Sequence, residues 1–275
     1  MFSGKKQGAA RLPCPICLPE ICGSDSKPDL IRRLSSSAFS ASRLPVSLLW
    51  YARFMMPELA KTLAKLEQAI NTAIPILERN KIRIEEKALF RTPLVIAIIS
   101  QSIEHHQSML LLLLDGKVGS AFTLARSVFD GMYRGLWIDQ IATDEEIKHF
   151  LRNDEIDARI GAMAEAIDAA SSTGSSFKNL KQGSWSILCS FSHNGMQQLG
   201  RRFTGNVMEP SYAESQIATV MELATVCILL LAKGFLEARS LTREVEEIAG
   251  IMLTLPIWQQ HATEEDKSPA IAGAR

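Results

Sequence analysis

Neither sign of charge is in excess: thirty Lys and Arg stand against thirty Asp and Glu, a formal net charge of zero. Nothing global therefore favours nucleic acid or an anionic membrane. Alternating, β-branched stretches bounded by turns are missing, so no sheet is expected. Also missing are HExxH, GxSxG, a GxxxxGKS/T loop and GxGxxG after a strand, which removes four familiar routes to hydrolysis and nucleotide binding. The helical metal motif Glu-x-x-His occurs once, Glu146 to His149, without the second copy that a di-iron centre uses, so no metal and no cofactor is expected. Aromatic residues are scarce at 7%. What is present is ordinary for a globular protein: 275 residues, 47% hydrophobic and 22% charged, enough to bury a sizeable core and too apolar for disorder.

Composition is uneven along the chain. Residues 1–56 hold eight basic residues against three acidic, a net +5, so the remainder carries −5. The same stretch has three of the five cysteines and five of the eleven prolines. Cys14 and Cys17 in CxxC spacing, followed by Cys22, make part of a tetrahedral zinc site, but no further Cys or His follows before His105, so a closed site is not expected. Leu30 to Met55 is rich in Arg and Ser and free of acids, the composition of a transit peptide; an unstructured leader and a translation start at Met55 or Met56 are open beside it. We divide the chain into a basic leader of low order, 1–55, a helical bundle, 56–255, and a polar tail, 256–275. Cys189 and Cys227 lie in apolar helical settings, which suits reduced, buried thiols and a cytoplasmic protein.

Past the leader the period is that of helices. Leu59, Leu63, Leu66, Ile70, Ile74 and Leu77 recur at three and four residues, with Pro75 set to kink or divide the helix from Pro57 to Asn80. Thr92 with Pro93 opens a second helix that Gly116 stops. Val118 to Ile141 is a third. Thr143 to Glu146 is a capping box opening a fourth through Ala170, and Ser171 to Ser176 is a loop by composition. Ser184 to Phe203, Pro210 to Ala238 and Thr242 to Leu255 complete seven segments. The most apolar run, Leu223 to Ala232, is shorter than the roughly 20 residues that span a bilayer, so it reads as a buried central helix and no membrane partner is expected. The fold class is all-α.

Polar residues on core faces carry the functional signal. At about 100° per residue, Arg126 sits at the centre of a stripe of Phe122, Phe129, Tyr133 and Trp137. Asp130 and Arg134 follow it at one and two turns. His105 shares a face with Leu94, Ile98, Met109 and Leu112; His193 lies with Cys189 and Met196; Glu222 is flanked by Ala218, Val226 and Leu229. We expect these groups to meet, with Arg126, Asp130 and Glu222 as an ionic centre, His105 and His193 as its titrating members, and Glu104 and Arg201 at the rim. A buried guanidinium without a carboxylate is costly, so such a network holds helices in register, and it can also border a pocket for a small anion or a nucleotide.

The motifs Glu104-His105, Ala125-Arg126-Ser-Val-Phe129-Asp130, Tyr133-Arg134-Gly135-Leu-Trp137, Ser184-Trp185 and Phe191-Ser-His193-Asn-Gly195-Met-Gln197-Gln198-x-x-Arg201-Arg202 resemble, in order, a bacterial family of uncharacterised all-helical proteins, over about Met55 to Ala249. That family is similar, more distantly, to the HEPN helical bundles, many of which are RNases of defence and toxin systems. The resemblance implies an all-α, HEPN-like bundle, and we expect a homodimer. HEPN RNases carry Arg-x(4 to 6)-His, and none of the five histidines here has an arginine at that spacing upstream. The expected function is thus non-catalytic, a cytoplasmic bundle with a polar network beside an anion pocket; the alternative is an RNase or nucleotide-acting enzyme using His193 or His105 with Arg126.

Overall fold

A computed structural model describes residues 56–79, 91–171, 175–208 and 210–256. The CxxC pair, the leader, Met55 and the tail from Ile257 lie outside the described residues. Among the described residues there are nine α-helices and no strand; Thr204 and Val207 form one isolated bridge across a tight turn.

The helices are α1 (Pro57–Arg79), α2 (Arg91–Leu114), α3 (Val118–Gln140), α4 (Asp144–Asn153), α5 (Ile160–Ala170), α6 (Ser176–Ser192), α7 (Met196–Leu199), α8 (Glu214–Glu237) and α9 (Thr242–Leu253). α3 is the hub. It packs against α2, α8, α6 and α5, while α8 also covers α1 and α9. Accordingly α3 is buried nearly all round, from Phe122 and Val128 to Tyr133, Leu136 and Ile138. Its solvent line is narrow: Ser120, Ser127 and Arg134, at seven-residue spacing, are exposed. α8 is 24 residues long and apolar enough to cross a membrane by length and composition, but 72% of its apolar window is covered by the other helices.

Three boundaries differ from expectation. α1 continues through Pro75 without dividing. The helix expected from Thr143 to Ala170 is two: Thr143 and Glu146 form the capping box, but Asp154 takes a left-handed conformation (φ 55°) that ends α4, and α5 restarts at Ile160. The helix expected from Ser184 to Phe203 starts eight residues earlier and stops at Ser192. Its early start is capped from outside, since the Asp168 carboxylate on α5 accepts from the backbone N–H of Phe177 (3.0 Å) and Lys178 (2.9 Å). Its end is a sharp corner at His193-Asn194-Gly195. Asn194 is left-handed (φ 52°), and a Cβ on Gly195 would lie 2.3 Å from Ser190 Oγ and 2.9 Å from Ser190 Cα. Only glycine fits that approach.

The far end of α3 is held by a second polar cluster that the periodicity did not reveal. Arg239 donates to both carboxylate oxygens of Asp139 at 3.0 Å and to Thr92 Oγ1 at 3.0 Å, with its guanidinium 3.6 Å over the ring of Phe235. The Asp139 side chain is only 2% exposed. Arg91 donates to the carbonyls of Ile138 and Ala142, taking up the free end of the same helix. Tying α2, α3 and α8 at one point fixes the frame on which the opposite face of α3 presents its charges.

Candidate functional site

Helix α3 carries Arg126 with Phe122, Phe129, Tyr133 and Trp137 all buried around it, as the stripe implies, yet Arg126 keeps 21% of its side chain exposed. The reason is geometric: Ser127 and Arg134 mark the solvent line of α3, so Arg126 and Asp130 stand at its rim. The guanidinium lies 4.8 Å over the Trp185 ring of α6. Its Nη1 donates to Ser192 Oγ at 3.2 Å and to His193 Nε2. Accepting that bond requires a neutral imidazole whose own proton is on Nδ1. Ser192 Oγ donates back to the carbonyl of Leu188 at 3.0 Å, leaving its lone pairs to Arg126.

Asp130 Oδ2 is 3.7 Å from Arg126 Nε, an ion pair beyond hydrogen-bond length, and Asp130 Oδ1 is buried with no hydrogen-bond partner among the described residues. Burial pushes the Asp130 carboxyl above the usual range, against the opposing pull of Arg126 and Arg134. The guanidinium thus has one loosely held carboxylate and a neutral imidazole around it, less anionic compensation than it can take. His193 is exposed at the end of α6, so the cluster opens to solvent instead of being sealed.

The other sequence candidates are distributed as follows. Arg134 is exposed on the solvent line and acts on Asp130 by charge alone. Glu104 is exposed on α2. Glu222 is half-buried on α8, and His105 half-buried on α2; neither is among the contacts of Arg126. Arg201 follows α7 in a short 3-10 turn, where it donates to Gln216 Oε1 and stands 5.8 Å from the rings of Phe191 and Tyr212. Structure therefore joins Arg126, Asp130 and His193 directly, adds Ser192 and Trp185, and leaves Glu222 and His105 apart from them.

The buried histidine is the neighbour of the one expected. His106 is fully buried, and its Nε2 donates to Thr225 Oγ1 on α8 at 2.9 Å, while Thr225 passes its own proton to the Met221 carbonyl. Burial holds the His106 imidazole down to about 4. On α2 the fully covered residues Val95, Ile99, Ser102, His106, Met109 and Leu110 form one face, and Leu94, Ile98, His105 and Leu112 its half-covered flank. Because α2 is apolar almost all round, spacing alone did not separate them. Cys227 is buried, and desolvation pushes its thiol up and out of reactive range; Cys189 is half-buried, not buried as expected.

Elsewhere, a cavity of about 310 Å³ between Trp137 and α4 is lined by Glu145, Glu146, Glu155, Asp157, His149 and Arg152. Glu146 is engaged there as a cap, accepting from the Thr143 N–H (2.7 Å) and hydroxyl (2.8 Å), which explains its place in the sequence without a metal.

No curated protein and no solved structure matches the chain. Residues 99–250 match the model of a family of unknown function, DUF6988, over a span that includes Arg126, Asp130, Trp185, Ser192, His193 and Arg201. That span is more than half of the sequence, and the chain belongs to the DUF6988 family.

Proposed function

We propose that this protein is a non-catalytic helical bundle that binds a small anionic ligand between α3 and the end of α6, with Arg126 as the charged anchor. The observation that carries this reading is the state of Arg126: stacked on Trp185, held by neutral acceptors in Ser192 and His193, and facing solvent with only a distant carboxylate. An incoming carboxylate or phosphate oxygen would take the place of His193 Nε2 as acceptor and gain a charge-assisted bond that a neutral imidazole cannot supply. Trp185 pre-orients the guanidinium, so little ordering entropy is lost on binding. The setting is a cytoplasmic homodimer, as the sequence led us to expect.

Thermal-shift measurements against a panel of carboxylic acids and nucleotides at constant ionic strength test this. At least one acid raises the melting temperature of the wild-type protein and not of Arg126→Gln. A flat response across the panel, or equal shifts in both proteins, rejects it.

One observation favours a second reading, a nucleotide-acting enzyme of distant HEPN kinship: the His193 imidazole is both exposed and hydrogen-bonded to a cation. Under that reading His193→Ala abolishes turnover of a nucleotide while Arg126→Gln weakens its binding; under ours neither protein turns one over.

A further inference from the structure

Two turns before Arg126, on the same face of α3, a second polar cluster converges on the first turn of the helix. Lys117, at the N-cap, makes no side-chain cap, and the backbone N–H groups of Ser120 and Ala121 both turn back to its carbonyl. The Val118 and Gly119 N–H groups are left facing off the positive end of a 23-residue helix. Gly119 leaves room there for three polar tips. A Cβ on it would lie 2.7 Å from Gln198 Nε2, 2.9 Å from Tyr212 Oη and 3.0 Å from Arg202 Nη2.

These tips are not paired off among themselves. Gln198 is 7% exposed and donates from Nε2 to the Gly119 carbonyl at 3.0 Å, but its Oε1 is buried with no partner among the described residues. Tyr212 Oη and the neighbouring Arg201 Nε are buried and unpartnered in the same sense. Two such orphans, Gln198 Oε1 and Tyr212 Oη, belong to side chains packed against one helix start, and each is a desolvated polar atom without compensation. The loop holding them is not loose: Ser211 N–H donates to the Arg201 carbonyl at 2.8 Å, and Tyr212 packs edge-on to Phe122 at 5.4 Å.

We propose that the start of α3 is a binding site for a phosphate oxyanion that still carries a proton. The donors are Arg202, Tyr212 Oη and the free N–H groups of the helix start, an arrangement that suits an anion. The orphan Gln198 Oε1 is an acceptor, and it discriminates: hydrogen phosphate has a P–OH to donate to it, whereas sulfate at neutral pH has none. A site with a buried acceptor rejects the analogue that leaves it unpaired. This site is separate from the one at Arg126, and neither requires the other.

Titration of 15N-labelled full-length protein with inorganic phosphate, sulfate and adenosine monophosphate, at fixed ionic strength and pH 6.5, tests it through the Val118 and Gly119 amide signals. The expected result is a saturable shift with phosphate, with sulfate needing about ten times the concentration. A monophosphate that binds as well as free phosphate identifies an ester as the occupant, and one that does not identifies the free ion. Arg202→Ala, an exposed change, and Tyr212→Phe, which keeps the ring, each weaken phosphate binding about tenfold, while Arg126→Gln leaves it unchanged. The proposal is overturned if phosphate gives no saturable shift at these amides, if sulfate matches it, or if both variants titrate as wild type.

Discussion

At the scale of single residues, position on a helix decides what a charge can do. His105 and His106 are adjacent, so about 100° of rotation separates a half-covered imidazole from a fully buried one. Sequence periodicity located the α3 stripe correctly because its aromatic residues alternate with polar ones. On α2, where apolar residues run almost all round, it chose the flank. The consequence is testable by pH. Unfolded chain takes up a proton at His106 as pH falls through about 6.5, whereas the folded chain stays neutral until about 4. Stability is therefore full above about pH 6.5 and declines from there toward pH 4, by about 3 kcal/mol for this group. Denaturant melts at pH 7.5 and 5.0 read it. His106→Asn, which keeps a donor for Thr225 without titrating, should lose much less stability between those values than the wild type; an equal loss would mean another group is responsible. At the rim the expectation is different. His193→Ala, exposed, should move stability by about 0.5 kcal/mol or less, and a loss of several kcal/mol on urea unfolding would make that cluster structural.

At the scale of elements, the helices were legible and their interruptions were not. Capping chemistry at Thr143 and Glu146 was visible because both partners lie within one turn. The start of α6 was not, because its cap comes from Asp168 on another helix, eight residues before Ser176 in sequence and beside it only once folded. Asp168→Ala should cost about 1 kcal/mol and speed hydrogen exchange at Phe177 and Lys178 first; unchanged protection there would show that the helix start does not depend on it. The corner at Asn194-Gly195 was hidden for a related reason, since one glycine in a helical pattern is compatible with continuation. Its backbone approach to Ser190 makes Gly195→Ala destabilising by about 1–3 kcal/mol. Because that corner ends α6 at Ser192 and turns His193 toward Arg126, the same variant should also diminish any thermal shift produced by an acid.

At the scale of the whole molecule, α3 works as a shared axis with a structural charge cluster at one end and a solvent-facing one, around Arg126, on its other face. The Asp139 and Arg239 pair was invisible to periodicity: the two residues are 100 positions apart, and each sits near a helix end where polar residues are unremarked. Asp139 is almost fully covered, so removing its partner strands a buried carboxylate. Arg239→Met should cost about 3–5 kcal/mol, and calorimetry should show a melting temperature lower by about 10 °C for a domain of this size. A drop of a degree or two would mean that water reaches Asp139 readily. The contrast with Arg126 is the useful one. Arg239 has a bidentate carboxylate, a hydroxyl and a ring, and is satisfied; Arg126 has a carboxylate at 3.7 Å and two neutral acceptors, and is not. Sequence pointed to Arg126 as the unusual cation on a core stripe, but only geometry separates a cation that is paired off from one that is receptive.

That receptivity is measured most directly at the imidazole it holds. In 15N-histidine-labelled protein at constant pH, titration with acetate and with a nucleoside monophosphate should produce a saturable change at His193 Nε2 as the anion displaces it from Arg126. His106 should stay still, and Arg126→Gln should show no such change. A His193 signal that does not move with any acid, or that moves equally in the variant, would contradict an anion site at Arg126.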